Sequence, residues 1–464
     1  LIYFYQDNGY DAWAPDNNKN FITYSDTLGM DSQLTKGLSL KADYQILNDL
    51  NITSISSFSN VELNHSYDGD WANDEYWLEK HGFDPQLEYY EYKFFDKNNR
   101  QRETFTQELR TSFGSLVLGT YVKYLSEKDK ANGYLYGGLA TEAESKYDFN
   151  SKAAYIQYEL SFVKKIKLKT NFRYENNDIS YSSQSADTYY YTPIPSIETK
   201  IKSPMIGYST VLSYNSNYIN YYASVSRGYK AGGINQEPNL SELNRSYEPE
   251  YIINGELGLK SYRNNIGNQL NLFLGQRTDQ QVSISSQQNY NDPNSFLFYT
   301  SNATKGMISG LEFESKYYGE KIQIGANLGY LKTRVEKFKY NISSVSSEEA
   351  GNRESAMSPN LNGSISFLGY IREDMYLNVI STYKSKYYFS DSHDYTSSPY
   401  SLTNISIGYS FRNIEFKYWV RNLFNEVYET RGFYFGLIPP DFNNQLFKSY
   451  GDPRHMGISL DYNF

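Results

Sequence analysis

Apolar and polar residues alternate one by one in stretch after stretch of this chain. At its C-terminal end Met456, Ile458, Leu460, Tyr462 and Phe464 alternate with Gly457, Ser459, Asp461 and Asn463. At 404–411, Ile405, Ile407, Tyr409 and Phe411 alternate with Asn404, Ser406, Gly408 and Ser410. Ile414, Phe416, Tyr418 and Val420 alternate with Glu415, Lys417, Trp419 and Arg421. The same beat runs through 322–330 and 165–174. Successive strand side chains point to opposite faces, so each stretch predicts a strand with one oily and one wet face. Stretches of nine or ten residues outrun the five or six typical of soluble strands.

The linkers alternate as well. Tight turns are expected near Asn48–Asn51, Val163–Lys165, Tyr214–Asn217, Tyr318–Lys321, Tyr370–Asp374 and Phe411–Asn413. Long polar loops are expected over 7–36, 66–99, 126–150, 182–200, 229–248, 287–305, 337–357, 386–397 and 423–454. The count comes to about 18 strands, eight hairpins plus one strand at each end. Short turns on one side and long loops on the other describe an antiparallel meander. Strands of this length, apolar outside and polar inside, describe an all-β transmembrane up-and-down barrel. A soluble propeller or sandwich would alternate too, but its strands would be shorter and its long loops would not gather on one side.

Composition changes the picture in one respect. Mean hydropathy is −0.67 and only 39% of residues are hydrophobic, figures that suit a polar soluble protein. Yet there are 50 tyrosines in 464 residues, and Tyr favours both strands and boundaries between apolar and wet surroundings. A spanning barrel hides its apolar residues by alternation, so low hydropathy does not exclude a membrane. No run of 18 apolar residues offers a spanning helix. The opening LIYFYQ has no basic or apolar leader features, so any signal peptide is expected to lie outside this sequence. A net charge of −9 and a pI near 5.2 argue against nucleic acid as a partner. Cysteine is absent, which suits an oxidising compartment without proving one.

Nothing in the chain reads as catalytic, and no cofactor is expected. The four histidines, His65, His81, His393 and His455, are not at metal-ligand spacing, so no metal site is expected. The loop DGDWANDEYW at 68–77 groups Asp68, Asp70, Asp74 and Glu75 but lacks the pattern of a calcium loop. Its aromatics are more informative. Trp71, Tyr76 and Trp77, with Tyr189, Tyr190, Tyr191, Tyr434 and Phe435 in other loops, would cost solvation unless they met a ligand, the lipopolysaccharide layer or each other. If apolar residues face lipid, parity turns Glu108, Arg110, Arg173, Glu175, Glu256, Arg277, Asp279, Glu312, Glu314, Glu415, Lys417 and Arg421 to the lumen. A basic residue facing lipid near the midplane costs about 2–4 kcal/mol, which enforces the sorting. Such a wall either pairs its own charges or grips a plug and guides a polar ligand.

Several stretches, in order, resemble TonB-dependent receptors of Gram-negative outer membranes. They are TQELRTSF (106–113), SVSRGYKAGGIN (224–235), YEPEYIINGELGLK (247–260), NATKGMISGLEFE (302–314), VRNLFNEVY (420–428) and GDPRHMGISLDYNF (451–464). The resemblance implies ligand-gated uptake of a scarce nutrient, with a ferric siderophore as the commonest cargo of that family. It implies outer-membrane lipid and lipopolysaccharide as surroundings, and a small-molecule ligand and the TonB complex as partners. It also implies that the barrel-insertion machinery reads the terminal aromatic, here Phe464. The family's N-terminal plug and TonB-engaging segment have no counterpart in this sequence, and its barrel has about 22 strands. The expectation is therefore residues 1–464 as a receptor-type barrel domain without the plug and first strands. The competing class is a passive porin-like channel of about 18 strands; a surface adhesin is a third.

Overall fold

The computed structural model describes residues 2–9, 13–135, 138–139, 143–185, 196–237, 240–287, 295–341 and 347–463. Among them, eighteen long strands form one antiparallel sheet. They are Ile2–Gly9 (β1), Met30–Leu47 (β2), Leu50–Asp68 (β3), Phe94–Phe113 (β4), Leu116–Leu135 (β5), Ala143–Val163 (β6), Ile166–Ser185 (β7), Ile197–Asn215 (β8) and Ile219–Lys230 (β9). The second half comprises Glu250–Arg263 (β10), Ile266–Gln287 (β11), Phe296–Tyr318 (β12), Ile322–Val335 (β13), Leu361–Arg372 (β14), Met375–Lys384 (β15), Tyr400–Phe411 (β16), Ile414–Arg421 (β17) and His455–Tyr462 (β18). Each pairs with the next in sequence. This is the up-and-down meander that the alternation predicts.

Eight connections at one end are only two or three residues long. They include the six expected turns and two that the hydrophobic pattern left unmarked, 114–115 and 264–265. Asn264 and Asn265 adopt φ of 51° and 62°, the left-handed pair that a tight hairpin needs and that Asn tolerates. All the long connections lie at the other end. Among the described residues no helix is long and apolar enough to cross a membrane.

The apolar register faces outward. Leu38, Leu40, Tyr44, Leu257, Leu274, Ile365, Ile407, Phe416, Ile458 and Leu460 are all exposed. Outward-facing apolar side chains in water would be a liability; against lipid they are the solvated surface. The opposite face carries the polar residues, and in several places an aromatic ring lies over a glycine of the next strand. Tyr155 stands opposite Gly119 and Tyr376 opposite Gly408. A Cβ on those glycines would meet the rings at 2.1 and 2.2 Å, so only glycine fits beneath them. Some of the tyrosine excess is explained by such pairs.

One difference from expectation stands out. β4 to β8 run 19 to 21 residues, about twice what a bilayer requires. Their outer ends, 94–99, 126–135, 143–150, 182–185 and 197–200, were expected as loop, because above the membrane both faces are wet and the alternation disappears. The sheet's two edges separate the receptor-type expectation from the porin-like one. Among the described residues no ladder joins β1 to β18.

Candidate functional site: the charged lumen and the roofed mouth

The lumen wall is built by strand parity. Inward residues alternate with outward ones that are mostly apolar, so charges that could not survive in lipid are collected on one surface. Arg173 donates twice to Glu175, at 3.0 and 2.8 Å. Glu175 also accepts from the Tyr229 hydroxyl at 2.9 Å and from Ser151 at 3.0 Å. The Arg173 guanidinium lies 5.6 Å from the Tyr121 ring and 5.9 Å from the Tyr155 ring, and the Tyr155 hydroxyl donates to Glu108. Glu108, Arg173, Tyr229, Glu256 and Glu312 border a cavity of about 840 Å³.

The remaining predicted wall residues spread along the same face. Asn254 donates to Glu256 at 2.7 Å and the Tyr376 hydroxyl to Glu415 at 2.7 Å. Arg277 pairs with Glu250 at 3.1 Å. Arg110 stands opposite Thr53, Glu314 opposite Gln269 and Asn327, Lys417 opposite Gly408, and Arg421 opposite His455. Asp279 has φ of 52°, and its carbonyl accepts from Asn302 at 2.8 Å. Higher on the wall, Arg100 pairs with Asp129 (3.1 Å) and Arg102 with Glu127 (2.6 Å). Sequence reading missed that upper tier: Glu127 and Asp129 fell in the loop expected over 126–150, and Arg100 and Arg102 stood just past the loop expected over 66–99.

Above the wall the long loops interleave. The 422–454 connection carries a hairpin, Glu429–Gly436 paired with Asn444–Tyr450. At its root Glu429 accepts from Lys448 Nζ at 2.6 Å and from the Ser398 amide at 2.8 Å. Farther along, the Gly436 amide donates to Gln287 at 2.8 Å, so the hairpin reaches from β17 to the end of β11. The 385–399 loop leans the same way: Asp391 accepts from the Ser283 and Ala356 amides at 3.2 and 2.9 Å. Arg353 fastens a third loop to it, donating to the carbonyls of Ser390 and His393 at 2.8 Å each. Asn17, in the β1–β2 loop, donates to Leu446 O at 3.0 Å and accepts from the Lys448 amide at 2.6 Å. Hairpin and loops together form a roof over the mouth.

The roof has its own aromatic core. A short helix, Asp74–His81 (α1), starts at Asn73, whose side chain accepts from the Tyr76 amide, and ends at Gly82 with φ of 69°. Both features are standard helix terminators. The helix delivers Tyr76 and Trp77 into a cluster with Trp13, Trp71, Phe83, Tyr92, Phe435, Leu437, Phe442 and Phe447. Trp13 stacks on Trp71 at 5.0 Å and on Phe433 at 4.7 Å; Trp71 meets Phe447 edge-on at 5.4 Å. Of the aromatics singled out by sequence, Trp71, Tyr76, Trp77 and Phe435 are therefore buried against each other. Tyr434 points away from that core, in ring contact with Tyr395 at 4.9 Å and His393 at 6.3 Å. Tyr189, Tyr190, Tyr191 and Phe464 lie outside the described residues. The acidic members of 68–77 separate: Asp74 and Glu75 open the helix, with Asp74 3.3 Å from Lys93, while Asp68 and Asp70 are buried. Among the described residues no group of three His, Asp or Glu could hold a metal.

An outward apolar belt, a charged lumen and a loop roof define a membrane-spanning β-barrel wall. Residues 2–423 match the family described as TonB dependent receptor-like, beta-barrel, and the chain belongs to that family. Such barrels are outer-membrane proteins of Gram-negative bacteria, and they are transport receptors rather than enzymes. The fold is similar to that of the ferric yersiniabactin uptake receptor FyuA from Yersinia pestis (TM-score 0.75, 16% identity, 94% of this chain and 62% of that one). It is also similar to the siderophore receptor PiuA from Acinetobacter baumannii (TM-score 0.71, 12% identity, 95% and 66%). The copper transporter OprC matches with a TM-score of 0.68, 13% identity, 94% of this chain and 66% of that one. The chain thus spans 62–66% of the length of these structures, and at such identities the likeness concerns the fold alone.

Proposed function

We propose that this chain is the wall and roof of an energy-coupled importer that takes a scarce nutrient across the outer membrane, its cargo a ferric siderophore-type iron complex. The observation that carries this reading is the roofed mouth. Loops from five connections interlock above a lumen lined with carboxylates, guanidinium groups and phenols, an arrangement suited to selective capture and unsuited to free diffusion. A passive channel of about 18 strands would need a ladder between β1 and β18, and the described residues hold none. The unpaired edges favour completion of the wall by further strands, because open edges in lipid cost several kcal/mol per backbone group. A plug would fill the lumen, with Glu256, Glu312, Glu314 and Glu415 among its contacts, and would carry the coupling to TonB. Ligand contact falls to Tyr434 and Tyr395 in this reading, with Trp71, Tyr76, Trp77 and Phe435 as their support. The outer belt meets lipid and lipopolysaccharide, and β18 is the strand presented to the insertion machinery. The iron cargo rests on what FyuA and PiuA are described as binding.

The test is uptake. The full-length receptor is expressed in an outer membrane lacking its own iron receptors, and labelled iron is offered as hydroxamate, catecholate and carboxylate complexes. Accumulation of one class, abolished by a protonophore, is expected. Entry of small sugars that ignores the protonophore would favour the passive channel instead.

A further inference from the structure

Asp68 closes β3 and Asp70 follows it, at the seam between the 10–29 loop, α1 and the start of β4. Both are buried, 3% and 2% exposed. The two carboxyl groups are neighbours at one strand end, two residues apart in the chain. Asp70 also accepts from the Phe94 amide at 2.9 Å and from Trp77 Nε1 at 3.3 Å. Asp68 accepts from the Asp26 amide at 3.0 Å. The charged neighbour is Asp26, another acid; the donors from Thr27, Trp77 and Phe94 are neutral, and Lys93 is spent on Asp74.

Two neighbouring carboxylates shielded from water and met by neutral donors ionise together only at a high cost. The pair therefore keeps one proton. We propose that the Asp68–Asp70 pair is a one-proton latch, which fastens the 10–29 loop and α1 to β4 and releases the aromatic core of the roof when the proton leaves.

The sign follows from linkage. Burial, then the neighbouring Asp68, push Asp70 up to about 9. In an opened loop the group returns to the ordinary carboxylate value near 4. Between those values the closed state holds one proton more than the open state. Closure is therefore favoured by acid and loses up to about tenfold in its equilibrium constant per pH unit of alkalinisation. The aromatic core responds because Trp77, wholly buried, donates directly to the pair.

The test is hydrogen exchange of residues 69–93 in the intact protein in lipid nanodiscs from pH 5 to 9, corrected for intrinsic exchange. Wild-type protection should fall as pH rises. Asp70→Asn, whose amide keeps a donor toward Asp68 without a titrating proton, should flatten the dependence. Asp68→Asn, which leaves Asp70 buried and titrating, should keep a fall in protection with pH, shifted toward lower pH, and serves if the first variant folds poorly. Gel mobility of the unheated barrel shows that the wall is intact. A pH-independent wild type, an Asp70→Asn variant that keeps the wild-type slope, or an Asp68→Asn variant with an unshifted profile overturns the latch.

Discussion

Replacing Leu328 by Arg tests the whole assignment of inside and outside at a single position. Leu328 is 44% exposed on the apolar face of β13, with Phe313 and Gly363 as its cross-strand neighbours. It lies six residues beyond Ile322, the first residue of its strand. At ~3.3 Å per residue and a tilt of about 40°, that is about 15 Å from the short-turn end. An apolar band about 25 Å tall puts it close to the midplane, where Arg costs ~2–4 kcal/mol. The adjacent residue is an internal control. Asn327 faces the lumen and donates to Ser364 at 3.0 Å; Asn327→Arg forfeits one hydrogen bond, about 0.5–1.5 kcal/mol. The expected gap is therefore ~2 kcal/mol, about 30-fold in the folding equilibrium at about 1.4 kcal/mol per factor of ten. Urea titration of the purified protein in lipid vesicles, followed by heat-sensitive gel mobility, measures both variants. Equal midpoints, or a weaker Asn327→Arg, would refute the lipid-facing register.

Three further outcomes are expected. Phe447→Ala opens a cavity at a side chain with no exposure and should cost the roof about 3–5 kcal/mol, seen as a red-shifted tryptophan emission with unchanged barrel mobility. Chymotrypsin added to intact cells should cut at Tyr89, which is 93% exposed, and spare the Tyr318–Gly319 bond at the 319–321 turn; the reverse would invert the topology. At Glu429 burial opposes ionisation, but bonds from Lys448 and Ser398 outweigh it and hold the carboxyl below its usual range. Its contribution is present above the ordinary carboxylate value and is lost as pH falls through the depressed one. Glu429→Gln should remove that acid limb of hairpin protection, measured by hydrogen exchange over 429–450.

The wall was legible because lipid imposes a strict rule: wherever the bilayer touches β13, β16, β17 or β18, every second residue must be apolar. The rule stops at the membrane surface. In β5 the outward beat runs Leu118, Val122, Tyr124 and then passes to Ser126, Lys128 and Lys130; the strand continues to Leu135 with nothing in composition to distinguish it from loop. Ser406 shows a finer limit. Its lumen side was legible, but not that it is 7% exposed opposite the Trp419 ring, so an Arg there would meet packing as well as water. In the roof, residue type was legible and partnership was not. Trp71 and Trp77 advertise contact with something apolar, but periodicity cannot say whether that is a ligand or Phe447, some 370 residues on. Asn17 gives no signal at all, since an Asn in a polar loop is ordinary.

Asn17 also bears on how the molecule is made. Its partners Leu446, Lys448 and Tyr450 are 429 to 433 residues away, whereas each wall hairpin closes across two or three residues. Closing a loop of that span costs about 5 kcal/mol in chain entropy if nothing else has brought the ends together. The wall removes that cost by carrying both ends to the same rim, so the roof can assemble only after most of the ladder is in place. A chain stalled partway through insertion therefore carries an open mouth, and only a nearly finished one is sealed.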